Sequence, residues 1–296
     1  MLTNQELLKP ELLQTVEGLE LIAKEILSAY RSGPHPGKLK GAGAEFSQYR
    51  SYQWGDDLRQ MDWKLYARSD RFYIREAETD SQVTVHFIID LSLSMSHESR
   101  GLSKLNYSRG LTAALAYLAL GQGDRILFSA LNSQENILKP PLEGRGRLSE
   151  FLYELSEIKC EGKWPEEMGE FLADKETANS KQMIVFLSDL YEEKAEISKF
   201  LKNAQASAHE VIVFHLMGGN ELTFDFPSNP EFVDLETGEK IQLDTSSYKA
   251  VYIEKMKKEL GLLQDQMANL GVHYQLVNMD QPISDCLEGF IQSRNY

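Results

Sequence analysis

Cysteine is almost absent from this chain. Its 296 residues contain two, Cys160 and Cys286. No zinc-site spacing and no disulfide framework can be read from them, and a reducing compartment is compatible with that scarcity. Basic charge is also short: 31 Lys and Arg stand against 45 Asp and Glu, a formal charge of −14. This speaks against generic affinity for nucleic acid or an anionic membrane. A basic protein partner, or an interface bridged by a cation, suits the balance better. No apolar run approaches the roughly 20 residues that span a bilayer. The N-terminus lacks the basic segment and apolar core of a signal peptide. The expectation is a cytoplasmic protein with no integral membrane segment. None of the histidines (His35, His86, His97, His209, His215 and His273) is paired at metal-ligand spacing. No Ser–His–Asp or Cys–His set is legible. Gly41-Ala42-Gly43 lacks the phosphate-loop pattern and reads as a tight turn.

What is present is an ordinary globular composition, 42% hydrophobic and 26% charged. Residues 4–30 carry apolar side chains at helical spacing, with Pro10 expected in the first turn of that helix. An irregular segment follows to about residue 75, rich in Gly, Arg, Tyr and Trp and locally basic. Trp54 and Trp63 are expected to be buried anchors there, with an exposed aromatic and basic patch as the competing reading. Beyond it, strands alternate with helices. An edge strand is expected at 72–74, then strands at 83–89, 125–131, 183–187, 210–217 and 272–277. Helices are expected at 104–120, 148–158, 165–172, 193–206, 248–270 and 283–293. Residues 222–226 and 232–243 read as a β-hairpin interruption around Glu236-Thr237-Gly238-Glu239. The pattern predicts an α/β fold, a mainly parallel sheet with helices on both faces. Ligands of such sheets bind beyond the carboxyl ends of the strands.

Two strand ends carry chemistry suited to that place. The run 83–89 leads into Asp90-Leu91-Ser92-Leu93-Ser94, and 183–187 leads into Ser188-Asp189. Carboxylates and hydroxyls are hard oxygen donors, the kind that hold Mg²⁺ or Mn²⁺. Asp90 and Asp189 would supply charge, and Ser92 and Ser94 neutral oxygens. The competing structural reading is a serine cap on the next helix and an aspartate satisfying loop amides.

The Asp90-x-Ser92-x-Ser94 motif with a later strand-end Asp189 resembles the metal-ion-dependent adhesion site of a von Willebrand factor A-type domain. Upstream stand Gly41-x-Gly43-x-Glu45-Phe46, Arg50-x-Tyr52, Gly55-Asp56-Asp57-x-Arg59, Asp62-Trp63-Lys64 and Ala67-Arg68. Together with the tail from Phe232, they resemble the bacterial domain-of-unknown-function 58 family, over nearly the whole chain beyond the first helix. The resemblance implies a Rossmann-like von Willebrand factor A-type domain over residues 81–296, with a hairpin insertion at about 220–246. It implies that residues 1–80, the first helix plus the family segment, pack on that domain. Glu45, Arg50, Tyr52, Asp56, Asp57, Arg59, Asp62, Trp63 and Arg68 become candidates for partner binding. The partner class implied is a MoxR-type AAA+ ATPase, or other A-domain proteins. A-type sites usually add a loop Thr, and the matching stretch Cys160-Glu161-Gly162-Lys163-Trp164-Pro165-Glu166-Glu167 has neither Thr nor Ser. Either Glu161 or Glu166 supplies an oxygen there, or the Lys163 ammonium replaces the ion, and affinity for Mg²⁺ or Mn²⁺ is expected to be weak or absent.

The reading that follows is a non-enzymatic interaction or adaptor module. The alternatives are a metal-dependent phosphoester hydrolase, with Asp56 or Asp57 completing the site of Asp90 and Asp189, and a scaffold whose metal site has decayed.

Overall fold

The computed structural model describes residues 7–31, 45–53, 61–69, 71–78, 82–165, 181–191, 195–226, 231–233, 240–242 and 245–293. Trp54, Asp56, Asp57, Arg59, Glu166, all but Pro165 of the helix expected at 165–172, and the turn at 236–239 lie outside these residues.

The N-terminal apolar pattern forms two helices, not one: α1 (Pro10–Leu13) and α2 (Val16–Arg31). Thr15 makes the break. Its Oγ1 donates to Leu12 O at 3.3 Å and accepts from Gly18 N at 3.1 Å. A hydroxyl that caps a new helix ends the old one, so Pro10 opens α1 instead of the main helix. Leu19, Ile22, Ala23, Ile26 and Leu27 then recur at helical spacing and are all buried.

Six strands build the central sheet: β3 (Val83–Asp90), β4 (Arg125–Leu131), β5 (Asn136–Glu143), β6 (Lys181–Ser188), β7 (Glu210–Met217) and β10 (His273–Asn278). Their spatial order is β10-β7-β6-β3-β4-β5. All neighbours are parallel except β5, which runs antiparallel to β4 along one edge. Sequence reasoning missed β5. Its Pro140 and Pro141 argue against a strand, yet prolines are tolerated on an edge where no ladder N–H is required. The register slips beside them, between Ile126 and Phe128 of the partner strand.

Side chains alternate between two cores, as a period of two demands. Val85, Phe87 and Ile89 join Val185, Leu187, Ile212 and Phe214 under α2, α4 (Lys104–Gln122), α5 (Leu148–Glu157) and α9 (Ile283–Ser293). Ile88, Ile184, Phe186, Val211 and Val213 face the other way, against Trp164, α6 (Glu196–Ser207) and Met267 of α8 (Thr245–Asn269). Each such side chain contributes roughly 1.5–3 kcal/mol by leaving water. Gly110 of α4 is where the chain ends interlock: a Cβ there would lie 2.7 Å from Leu8 and 3.0 Å from Ile283. The result is a mixed α/β architecture, a mostly parallel sheet flanked by helices. No helix among the described residues is long and apolar enough to cross a membrane.

The family segment is less irregular than its sequence suggests. Strand β1 (Glu45–Ser51) pairs antiparallel with β2 (Tyr73–Glu78), and α3 (Trp63–Ser69) lies between them in the chain. Charged and aromatic residues mask the strand period here. Near the C-terminal third, β8 (Glu231–Val233) and β9 (Lys240–Gln242) pair antiparallel as a hairpin requires. Of residues 222–226, expected to belong to that hairpin interruption, Leu222 and Thr223 instead end a short helix, α7 (Gly219–Thr223).

Candidate functional site

The chain enters the sheet at β3, moves to β4 on one side, and returns to β6 on the other. The carboxyl ends of β3 and β6 therefore flank the switch in strand order, where open α/β sheets leave a crevice. Asp90 ends β3, and Ser188 ends β6 with Asp189 next to it. The two tips are tied directly: Ser188 Oγ donates to Asp90 Oδ2 at 2.7 Å. The other Asp90 oxygen accepts the Ser92 backbone N–H at 2.8 Å. Beyond it runs a chain of oxygens. Ser92 Oγ lies 3.0 Å from Ser94 Oγ, and Ser94 Oγ donates to Asp189 Oδ1 at 3.1 Å. The structure thus brings together the four residues picked from sequence. Asp90 has no exposed surface and Ser92 is buried, while Ser94 is half-buried. A partner cannot touch Asp90 itself, an anchor beneath the rim, and the Asp189 side chain is only 5% exposed.

A fifth group completes the cluster. Lys104 Nζ donates to Asp189 Oδ2 at 2.9 Å and to Glu221 Oε1 at 3.0 Å, and Lys104 is 3% exposed. Glu221 Oε2 in turn accepts Gly218 N–H at 2.6 Å, which starts α7. The ammonium on Asp189 therefore comes from Lys104, at the start of α4, and not from Lys163. The Lys163 backbone N–H donates to Ser133 Oγ at 3.1 Å. Even with this amine present, the site is rich in negative charge. Burial, and then the neighbouring Asp189, push the Asp90 carboxyl up to about 7.

The loop resembling the Thr-bearing segment does lie against the Asp90 loop. Glu161 N–H donates to Leu91 O at 2.8 Å, and Leu93 N–H to Gly162 O at 2.9 Å. Gly162 has φ +65 and a Cβ there would meet Ser133 Oγ at 2.4 Å, so glycine suits this turn. Cys160 feels both aspartates. Burial, then Asp90, push its thiol up to about 12, leaving it neutral and a poor ligand for a hard cation. Arg109 fastens this loop from below: its guanidinium bonds Leu155 O, Ser156 O and Ile158 O.

Other candidates take structural places. His86 Nε2 bonds Ser129 Oγ at 2.7 Å, and His215 Nδ1 bonds Tyr274 OH at 2.7 Å. Burial pushes these imidazoles down to about 3 and about 4, so both stay neutral. Asp62 is buried and caps α3, accepting the Lys64 and Leu65 N–H groups at 2.9 and 3.0 Å. Trp63 is 58% exposed, which corrects the expectation of a buried anchor. Tyr66 stacks on Phe72 at 4.5 Å, Tyr52 meets the edge of Phe72, and Arg68 is exposed nearby in sequence. Glu45 and Arg50 lie on β1.

Sequence reasoning overlooked Lys104 and Glu221, and named Ser188 at the strand end without giving it a role. One signal was available for Lys104: a cation in a helix's first turn opposes the helix dipole and calls for a compensating partner. Glu221 lies 117 positions away and announces nothing locally.

The donor set consists of hard oxygens, the kind that Mg²⁺ and Mn²⁺ take. Neighbouring ligands of an octahedral Mg²⁺ sit about 3.0 Å apart when Mg–O is about 2.1 Å. The spacings from Ser92 Oγ to Ser94 Oγ to Asp189 Oδ1, 3.0 and 3.1 Å, are close to that figure and are also ordinary hydrogen-bond lengths. No cluster of three His, Cys, Asp or Glu side chains suited to a metal occurs among the described residues, so an ion here would depend on the two hydroxyls.

Over 136 residues the chain is 30% identical to Uncharacterized protein Rv1480 of Mycobacterium tuberculosis and to Uncharacterized protein Mb1516 of Mycobacterium bovis. The alignment spans 46% of this chain and 43% of each relative, less than half their length. Among solved structures, conserved hypothetical protein BatB from Bacteroides thetaiotaomicron is similar at 15% identity and a TM-score of 0.43, over 71% of this chain and 99% of that one. The PilB minor pilin from Streptococcus sanguinis is similar at 10% identity and a TM-score of 0.40, over 75% and 64% of the two chains. The profile of the family described as Protein of unknown function DUF58 matches residues 48–259. That stretch holds Tyr52, Asp62, Asp90, Ser92, Ser94, Lys104, Asp189 and Glu221, and the chain belongs to this family.

Proposed function

We propose that this chain is a von Willebrand factor A-like interaction module that docks a protein partner at the carboxyl ends of β3 and β6. The observation that carries the reading is the chain of hard oxygens Ser92–Ser94–Asp189 seated at the sheet's switch point. Ser92, Ser94 and Asp189 would hold Mg²⁺ or Mn²⁺, and Asp90 would support them from beneath through Ser92 and Ser188. A bound cation would supply positive charge for a partner's carboxylate and offset repulsion between two acidic proteins. The partner class is the MoxR-type AAA+ ATPase that the family resemblance implies, and the work of the pair is assembly or remodelling of protein complexes. The family segment, with exposed Trp63 and Arg68, supplies a second contact region.

The test is binding of the purified MoxR-type ATPase from the same genome, followed by biolayer interferometry in Mg²⁺ and in EDTA. Wild type should bind in Mg²⁺ and release in EDTA, and Ser94→Ala should weaken binding roughly tenfold or more. Equal binding in all arms refutes the docking site. Turnover of a phosphoester with Mg²⁺ or Mn²⁺ that vanishes in Asp90→Ala would replace this reading with hydrolysis.

A further inference from the structure

Lys104 sits where a helix start tolerates a cation least. The first turn of α4 already presents the positive end of the helix dipole, and the Lys104 side chain is 4% exposed. Burying an ammonium is costly unless carboxylates surround it. Asp189 and Glu221 do so at 2.9 and 3.0 Å. Asp189 is thereby divided: Oδ2 serves the ammonium, while Oδ1 serves the rim hydroxyl of Ser94. Any cation among Ser92, Ser94 and Asp189 would share a carboxylate with Lys104 and be repelled by it.

We propose that Lys104 is a tethered counter-cation that competes with divalent ions for Asp189 and sets the rim's metal affinity low. This rests on the reading that the Ser92–Ser94–Asp189 oxygens accept a divalent ion. The amine has a second effect. It holds Asp189 in place from one side while Ser94 holds it from the other, so the rim keeps its shape without an ion. Occupancy then follows the ambient divalent concentration instead of being permanent. The missing loop Thr acts in the same direction, with Cys160 offering a protonated thiol beside the aspartates.

Mn²⁺ binding, read by electron paramagnetic resonance of the free ion and by thermal melting, tests this. Lys104→Gln and Lys104→Met remove the charge, and Lys104→Arg keeps it. The Gln and Met variants should bind Mn²⁺ roughly tenfold or more tighter than wild type and gain more in Tm on adding it. Lys104→Arg should stay near wild type. If the uncharged variants are unfolded alone, saturating Mn²⁺ should restore their melting transition. Adding Ser94→Ala to Lys104→Gln should abolish the gain. Uncharged variants that bind no tighter than a metal-binding wild type overturn the role of Lys104 and leave the metal reading standing. A silent wild type beside a binding Lys104→Gln supports Lys104 and removes the metal from the natural rim. No binding in any variant, failed rescue, or a gain that survives Ser94→Ala overturns the proposal.

Discussion

Asp90→Asn is the most informative single change. Asp90 has no exposed surface, and burial followed by Asp189 raises its carboxyl from 3.8 to about 7. The folded protein thus holds this proton more tightly than the unfolded chain does. The stability it contributes is complete below about 3.8 and is lost as pH rises through about 7. A rise of that size corresponds to roughly 4 kcal/mol at most, less where water reaches the pair. Asparagine removes the titration but keeps the acceptor for Ser92 N–H. Ser188 Oγ must then accept where it formerly donated, at a cost of about 1 kcal/mol. Urea denaturation across pH, with EDTA present, should show wild type losing stability from about pH 4 to about pH 7 while Asp90→Asn stays nearly flat. The variant should therefore be roughly 2–3 kcal/mol more stable than wild type at about pH 8 and slightly less stable at about pH 4. Adding Mg²⁺ at the higher pH should stabilise wild type more than the variant, because a cation favours the ionised carboxylate beneath its ligands. Parallel pH curves for the two proteins would refute the electrostatic reasoning. Divergent curves without a Mg²⁺ effect would refute only the cation.

Arg109→Met should cost about 3 kcal/mol in urea denaturation, since three carbonyls at the end of α5 and just beyond it lose a charged donor; an unchanged midpoint would count against that anchoring role. Gly162→Ala should destabilise by about 1–2 kcal/mol from positive φ and the clash with Ser133, and it should weaken partner binding because Gly162 O holds the Leu93 N–H.

The buried strands were legible because each is a short apolar run. The bounds 125–131, 210–217 and 283–293 agree with β4, β7 and α9. Strand β5 was hidden because an edge strand need not be apolar and its paired prolines read as a break. The division between α1 and α2 was hidden because Thr15 caps without disturbing the apolar period. In the site, Asp90, Ser92, Ser94 and Asp189 were legible as polar groups at strand ends. Ser188 was read as a hydroxyl just past the strand 183–187, and only its bond to Asp90 shows its use. Lys104 and Glu221 meet through tertiary packing, which no local pattern encodes. The burial of Asp90 was equally invisible, because a strand-end aspartate reads the same on an open rim as beneath one.

Gly110 and its neighbours bear on where the molecule can be cut. Leu8, Leu19, Ile22 and Ile26 at one end, and Ile283, Leu287 and Phe290 at the other, belong to the same hydrophobic cluster as Val85 and Phe87. Yet the stretch recognisable as DUF58 spans only 48–259. A fragment trimmed to those limits would lose α2, β10 and α9, uncovering one face of the sheet and baring the edge of β7. The cooperative unit of folding is larger than the stretch by which its kinship is recognised.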